Sequence, residues 1–291
     1  MKRFFTITAL LTTFLLAACS APENEFVFAL KPDKDPDRML EEQKSLENFL
    51  SERLDRPVSV IIPLSGSIIL EGFANGTIDA GYVSATEMVY ARNEQTADLL
   101  LAGEINGNPY YESYWVSLKD KPYESVEDLK GKPIAFSSRS STSGFIIPFW
   151  DMNKKGLVDD DGKPEDFFGE GNVWYGIGYV SAVEQVLSGA AEAAAVSYYV
   201  IDEDRHLTEE QRAKLKMVTS QGPVPTHVIA ASRQLGEEGQ AKLREALLEF
   251  NNEEHKELRD KLFTSRLIEV DPQDHLQSIA EAIEFAKNVT R

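Results

Sequence analysis

The stretch IAFSSRSSTSGFIIPFW, at positions 134–150, predicts a strand that opens into a hydroxyl-rich turn and then into a helix. Its first three residues are apolar, as in a buried strand, and positions 140–143 read Ser-Ser-Thr-Ser. Ser and Thr are favoured at the start of a helix, where backbone N–H groups lack acceptors. A phosphate-like or carboxylate ligand could satisfy these N–H groups, helped by the helix dipole, and Gly144 would let it approach the backbone. The alternative is a solvated loop with a single N-cap.

Ahead of this stretch, segments with strand character alternate with segments whose apolar residues recur at helical spacing. This alternation is typical of a parallel sheet with crossover helices, so it predicts an α/β fold. The predicted strands are Phe26–Leu30, Val58–Leu64 and Ile78–Val83, and the predicted helices are Met39–Leu54, Ile68–Asn75 and the segment from Ser84 through Arg92.

Ligands of such sheets bind in loops beyond the C-terminal strand ends. Tyr82 and Ser84 lie at one of these ends and are candidate ligand-binding residues; the alternative for Tyr82 is a core tyrosine with a satisfied hydroxyl. Tyr111 is a further candidate, in the extended segment 106–118, which is interpreted as a crossover between two lobes. The strand that returns to the first lobe is predicted at 215–232, broken at the Gly-Pro-Val-Pro of 222–225.

The first 19 residues have the features of a bacterial secretory signal. Two basic residues are followed by an apolar core, Phe4–Leu16, which is shorter than the roughly 20 residues that span a bilayer. Small residues then lead into Cys19, the single cysteine of the chain, in the pattern of a lipobox. We therefore expect a lipoprotein signal peptide at 1–19, a lipid anchor on Cys19 and a tether at 20–25; the alternative is a thiol of a folded domain. A single cysteine also excludes an intramolecular disulfide framework.

The composition is that of an ordinary globular protein with an acidic surface. Hydrophobic residues make up 42% of the chain, and 30 Lys and Arg stand against 48 Asp and Glu, for a formal net charge of −18. This balance argues against nucleic-acid partners and against electrostatic attachment to anionic lipid. An anionic ligand would therefore have to be captured by local dipoles. Without the leader about 270 residues remain, enough for one large domain or two lobes.

Several segments resemble one family of proteins. SVEDLKGKPIAF at 125–136, followed by SSTSGFIIP at 140–148, resembles the second lobe of the substrate-binding proteins of bacterial phosphate, phosphite and phosphonate ABC importers. Positions 72–81 and 186–196 resemble the units of helix, glycine and strand in the first and second lobes of that family. The resemblance covers nearly the whole chain after the leader.

The resemblance implies a two-lobed periplasmic-binding-protein fold of type II, in which each lobe is a mainly parallel sheet flanked by helices and two crossover strands form the hinge. Lobe one would comprise 26–113 and 226–291, and lobe two 114–225. The implied function is that of an extracytoplasmic, membrane-anchored receptor that captures a small tetrahedral oxyanion (phosphonate, phosphite or phosphate) and passes it to ABC permease subunits. We expect a monomer that is not an enzyme and that needs no cofactor or metal.

In that family the Ser-Thr-Ser of the turn holds the phosphonyl oxygens, which here implies Ser141, Thr142 and Ser143. This arrangement is physically sound, because hydroxyl and backbone N–H donors can saturate a tetrahedral oxyanion. They do so without a counter-charge that would make release difficult.

The sequence departs from the family where members that take aminoalkyl phosphonates carry a histidine and acids. Tyr179 falls nearest the histidine, Tyr198 stands in the segment where a carboxylate would meet an ammonium group, and an acid is displaced to Asp202. The anionic end of the ligand is thus preserved, whereas an amino tail is disfavoured. Tyr179 and Tyr198 are candidate ligand contacts, with packing between strands as the alternative.

Two other functions remain as alternatives: a receptor of the same fold that serves a sensor, and an enzyme that acts on a phosphorylated or sulfonated metabolite. The enzyme alternative is disfavoured because the sequence shows no reactive group of residues. Near the serine turn there is no general base, no G-x-S-x-G elbow, no metal-ligand cluster and no P-loop lysine. The histidines, at 206, 227, 255 and 275, have no metal-ligand spacing and are interpreted as satisfied surface residues.

Overall fold

The computed structural model describes residues 25–30, 36–203, 206–262 and 266–290. The predicted signal peptide with Cys19, and positions 20–24 of the predicted tether, lie outside these ranges. Within them, no helix combines the length and the apolar composition needed to cross a membrane.

Strands and helices alternate along the described ranges. The strands, in chain order, are β1 Phe26–Leu30, β2 Val58–Ile61, β3 Ala80–Val83, β4 Ala97–Glu104, β5 Tyr110–Leu118, β6 Ile134–Phe136, β7 Val173–Tyr175, β8 Ala193–Ser197, β9 Leu215–Pro225, β10 Val228–Ser232 and β11 Arg266–Ile268. The helices are α1 Pro36–Leu54, α2 Gly66–Asn75, α3 Ala85–Asn93, α4 Ile147–Lys154, α5 Pro164–Phe168, α6 Tyr179–Leu187, α7 Tyr199–Asp202, α8 Glu209–Ala213, α9 Gly236–Glu249, α10 Lys256–Leu262 and α11 Pro272–Thr290. A π-helical turn, Thr142–Ile146, leads directly into α4.

The strands form two mixed sheets. The first has six strands in the order β11-β4-β10-β3-β1-β2, and the second has five in the order β7-β6-β8-β5-β9. The prediction of mainly parallel sheets is corrected on this point: β1 runs parallel to β2 and β3, and β6 to β7 and β8, but the remaining pairs are antiparallel. The antiparallel strands include β5 and β10, through which the chain enters each sheet from the other.

The chain passes between the sheets twice, from β4 to β5 and from β9 to β10, as the predicted hinge requires. Thr226 joins these crossovers, because its hydroxyl lies 2.7 Å from the carbonyl oxygen of Gly103 and 3.0 Å from that of Pro109. β5 begins at Tyr110, ahead of the predicted lobe boundary after position 113, and belongs wholly to the second sheet. The lobe boundaries themselves stay a prediction.

The predicted break at 222–225 is wrong, because β9 continues through this segment. Val224 pairs with Tyr111, and Pro225 pairs with Tyr110. β9 is the edge strand of its sheet, where a proline removes no hydrogen bond that an outer neighbour would need.

An aromatic cluster in the second sheet supports the hydroxyl-rich turn. The ring of Phe136, on β6, lies 4.8 Å from that of Phe145 in the turn and 5.5 Å from that of Trp115 on β5. All three side chains are buried. These well-packed rings, in edge-on and tilted contact, therefore hold the turn against the second sheet.

His275 is buried, which corrects its interpretation as a surface residue. Its side chain is 1% exposed, and its ring lies 5.3 Å from that of Tyr110, just after the first crossover. Burial lowers the pKa of His275, and the nearby backbone of Thr226 offsets part of this effect. The sequence could not reveal this burial, because it arises where the last helix, α11, meets both crossovers.

We expect the free energy of unfolding to decrease as the pH falls below about 6.5, the ordinary pKa of histidine. The folded chain holds His275 at a lower pKa than the unfolded chain does, so between the two pKa values the unfolded state binds more protons and stability rises with pH. Urea unfolding at a series of pH values measures this slope. His275→Leu should flatten it, whereas His255→Leu, which removes a histidine packed against Phe250, serves as the control. An unchanged slope in His275→Leu would assign the pH dependence to other groups.

Candidate functional site

The turn between β6 and α4 has the shape of an open helix end. Ser141 is its N-cap, with Oγ accepting from the N–H of Gly144 at 3.0 Å. Backbone hydrogen bonds then span five residues, from the N–H of Ile146 to Ser141 and from that of Ile147 to Thr142. The first N–H groups of such a turn have no acceptor within it. The predicted strand, turn and helix are thus present, with a wider first turn than expected.

Gly144 is required by the close approach of the turn to the end of β6. A Cβ atom at this position would lie 2.4 Å from Oγ of Ser137, and the N–H of Ser137 donates to the carbonyl of Gly144 at 3.0 Å. Any larger residue would push the turn away from the strand. The contact with Ser137 is a structural reason for this glycine that sequence analysis did not supply.

A second helix N-terminus meets the turn from the first sheet. The Oγ1 atoms of Thr86, in the first turn of α3, and Thr142 are 2.7 Å apart, and the two residues are 0% and 6% exposed. The positive ends of two helical dipoles therefore point into one buried region between the sheets. Such a region favours an anion, and at α3 the buried carboxylate of Glu87 already takes up part of this field.

Two of the predicted tyrosines are hydrogen-bonded to Ser143 in the turn, and the other two lie near Tyr111. Its Oγ accepts from the hydroxyl of Tyr111 at 3.2 Å and lies 2.8 Å from that of Tyr179. The ring of Tyr198 is 5.9 Å from that of Tyr111, and Tyr82 is near enough to act on Tyr111 electrostatically. Burial raises the pKa of Tyr111 well above its ordinary value, and the proximity of Tyr179 adds to the rise. Tyr111 is an uncharged donor, and the acceptor of its hydroxyl is Ser143.

Ser84 acts in this structure as the N-cap of α3. Its N–H and its hydroxyl both donate to Oε2 of Glu87, at 2.7 and 2.8 Å, and its Oγ in turn accepts from the N–H of Glu87. The carboxylate of Glu87 also presses on Gly66, where an added Cβ would come within 1.6 Å of Oε1. Glu87 thus caps α3 and lies against Gly66, the first residue of α2, and a direct contact between Ser84 and a ligand stays a prediction.

The acids after β8 are held by tyrosines. Asp202 accepts from the hydroxyl of Tyr114 at 2.9 Å, and Glu203 accepts from that of Tyr198 at 3.0 Å. Burial, followed by the bond to Asp202, raises the pKa of Tyr114 to about 12. Tyr114 lies on the opposite face of β5 from Tyr111, the tyrosine that donates to Ser143. Among the described residues, no group of three or more His, Cys, Asp and Glu side chains could hold a metal ion.

Sequence analysis missed Thr86, Ser113 and Gln221. The signal for Thr86 was present, because Ser84-Ala85-Thr86-Glu87 has the form of a capping box, which marks a helix start. Ser113 and Gln221 are buried polar residues on neighbouring strands, β5 and β9. Their place behind the turn depends on strand register, for which the sequence offered no direct signal.

The fold and this donor set are those of an extracytoplasmic solute receptor, and the chain belongs to the ABC transporter, phosphonate, periplasmic substrate-binding protein family, whose model matches residues 28–275. This finding confirms the predicted family and the predicted class of function. The family is one of transport proteins, so the enzyme alternative is not supported.

Relatives and solved structures agree with this assignment. The probable ABC transporter phosphite binding protein PhnD1 of Prochlorococcus marinus (strain MIT 9301) is 23% identical in a match that covers 94% of this chain and 94% of that protein. The structure of PhnD1 with methylphosphonate matches with a TM-score of 0.75 and 19% identity over 91% of this chain and 99% of that one. XAC2383 from Xanthomonas citri, bound to chloride ion, matches with a TM-score of 0.77 and 19% identity over the same shares. The structural matches confirm the predicted type II fold.

Proposed function

We propose that this chain captures a small tetrahedral oxyanion, namely phosphonate, phosphite or phosphate, between its two sheets and delivers it to the permease of an ABC importer. The observation that carries the proposal is the meeting of two helix N-termini at Thr86 and Thr142, beside the hydroxyls gathered on Ser143. The phosphite and methylphosphonate in the names of PhnD1 and its complex support the same ligand class.

The chemistry of the site suits an oxyanion better than any other small solute. Backbone N–H groups and hydroxyls are neutral donors, and a tetrahedral oxyanion has enough lone pairs to accept from all of them. The chain carries a net charge of −18, so an anion gains nothing from the overall field. Attraction must therefore come from dipoles at short range. Unlike a buried counter-ion, these dipoles do not make release of the ligand difficult.

Each predicted residue takes a role in this proposal. Thr142 and Ser143 offer hydroxyls and N–H groups to the oxyanion, while Ser141 caps the turn that presents them. The remaining predicted contacts enclose the rest of the ligand: Tyr82, Ser84, Tyr111, Tyr179 and Tyr198. The lobes divide as the resemblance implies, at 26–113 with 226–291 and at 114–225, and the protein acts as a monomer tethered by lipid on Cys19.

A panel of oxyanions tests the proposal. Phosphite, phosphate and methylphosphonate should each be compared with sulfate in thermal unfolding, because a ligand that binds only the folded state raises its melting temperature.

Thr142→Val keeps the side-chain size but removes a hydroxyl, and should weaken binding by about 1.5–3 kcal/mol, the contribution of a hydrogen bond to a charged group. Thr77→Val, in the exposed turn between α2 and β3, removes a hydroxyl outside the site and is the control. Unchanged affinity in Thr142→Val would place the ligand elsewhere.

A compact or alkyl oxyanion should bind more tightly than 2-aminoethylphosphonate. An ammonium tail that enters a buried site is desolvated, which costs several kcal/mol unless a carboxylate or an aromatic face receives it. The faces of Tyr179 and Tyr198 compensate by only ~0.5–2 kcal/mol. Calorimetry measures the difference, and an aminoalkyl ligand bound tenfold more tightly than methylphosphonate would contradict the prediction. Loss of that preference in Glu203→Gln would then identify the responsible acid.

Cys19→Ala should leave an uncleaved precursor without lipid, because the lipobox cysteine is the residue that would be acylated. Detergent phase partitioning and mass spectrometry of the mutant measure the outcome, and circular dichroism should show an unchanged fold. Ser20→Ala, which keeps the cysteine, is the control. Mature-length mutant protein in the detergent phase would overturn the lipid anchor.

A further inference from the structure

The carbonyl of Ser143 cannot be satisfied by the hydrogen-bond pattern of its own turn. In the π-helical pattern each carbonyl accepts from the residue five positions later, as Thr142 does from Ile147. For Ser143 that residue is Pro148, which has no N–H. Ser143 is 0% exposed, so its carbonyl needs another donor, since an unpaired buried carbonyl is costly.

Ser113 supplies this donor from the neighbouring strand β5. Its Oγ lies 2.6 Å from the carbonyl oxygen of Ser143, and Ser113 is itself 0% exposed. A carbonyl oxygen only accepts, so the single hydroxyl proton of Ser113 must point at Ser143. The lone pairs of Ser113 then face away from the turn.

Gln221 fixes the orientation of that hydroxyl. Its Nε2 donates to Oγ of Ser113 at 2.6 Å from the paired position on β9, and Gln221 is 5% exposed. The three residues form a directed chain of hydrogen bonds from Gln221 to Ser113 to the turn. In a buried setting such a chain rigidifies the groups at its end.

We propose that Ser113, oriented by Gln221, is a positioning residue of the oxyanion site, which holds Ser143 so that its N–H and hydroxyl face the ligand. This inference rests on the proposed function, because it assigns a role in binding to residues that do not touch the ligand. Ser143 connects Ser113 to the tyrosines: its carbonyl accepts from Ser113, and its hydroxyl lies among the tyrosines. Loss of the Ser113 bond would let the turn relax toward a geometry in which the donors no longer converge.

Ser117 provides a matched control on the same strand and face. Its Oγ also donates to a backbone carbonyl, that of Glu192, at 2.5 Å, and Ser117 is 0% exposed. Ser113→Ala and Ser117→Ala each delete a buried hydroxyl bonded to a carbonyl, so both should lower the melting temperature, Ser113→Ala by more because it also removes the acceptor of the Gln221 amide. Only Ser113→Ala should also weaken ligand binding.

The experiment is isothermal calorimetry with phosphite and with methylphosphonate on the wild type, Ser113→Ala and Ser117→Ala. We expect Ser113→Ala to lose about tenfold in affinity, the effect of one lost hydrogen bond, and Ser117→Ala to match the wild type. Gln221→Met, which keeps the side-chain length but removes the donor, should weaken binding in the same direction and serves if Ser113→Ala does not fold. Equal affinities for the Ser113 and Ser117 variants would overturn the inference.

A rescue variant separates positioning from general damage. Pro148→Ala restores an N–H at the position from which the pattern of the turn can reach the carbonyl of Ser143. Added to Ser113→Ala, it should recover most of the lost affinity, and the single Pro148→Ala variant completes the cycle. A double variant no better than Ser113→Ala would contradict the proposal. If the wild type binds neither oxyanion, the proposed function itself fails. If the wild type binds them and Ser113→Ala binds them equally well, only the inference fails.

Discussion

Burial of the turn Thr142–Ile146 is the constraint on which the rest of the site depends. A turn enclosed between two sheets must find a partner for each polar group that it takes out of water. Its carbonyls at Ser143 and Gly144 are met from outside the turn, by Ser113 and by the N–H of Ser137. These two carbonyls are thus engaged by protein, whereas the first N–H groups of the turn have no acceptor within it.

Capture of an anion by an acidic protein is consistent with this arrangement. The overall charge of −18 repels an anion at long range, but salt screens that field beyond about 10 Å. Inside the site, two helix N-termini and neutral hydroxyls act over a few ångströms in a medium of low polarity, where dipoles are more effective than in water. The acids nearest the site are hydrogen-bonded within the protein: Glu87 caps α3, one of the two helices that meet there, Asp202 accepts from Tyr114, and Glu203 accepts from Tyr198.

Errors in the sequence analysis have identifiable physical causes. β4 went unassigned because ADLLLAGE is a short apolar run with no clear period, buried on both faces in the middle of a sheet. The break predicted at Gly222–Pro225 assumed that proline ends a strand, which fails at a sheet edge. His275 was taken as a surface residue because isolated histidines usually are, yet it packs against Tyr110. Each error concerns a residue whose neighbours are distant along the chain.

The sequence by itself determined the alternation of strands and helices, the serine turn at 140–143 and, through its resemblance, the family and the class of ligand. These follow from local chemistry, since hydroxyls favour helix starts and apolar periodicity reports secondary structure. Only the tertiary structure decided that Thr86 meets Thr142, that Ser143 joins Tyr111 to Tyr179, and that Ser113 and Gln221 stand behind the turn. These pairings link residues that are 30 to 108 positions apart, so they depend on strand order and register, which the folding of the whole chain sets.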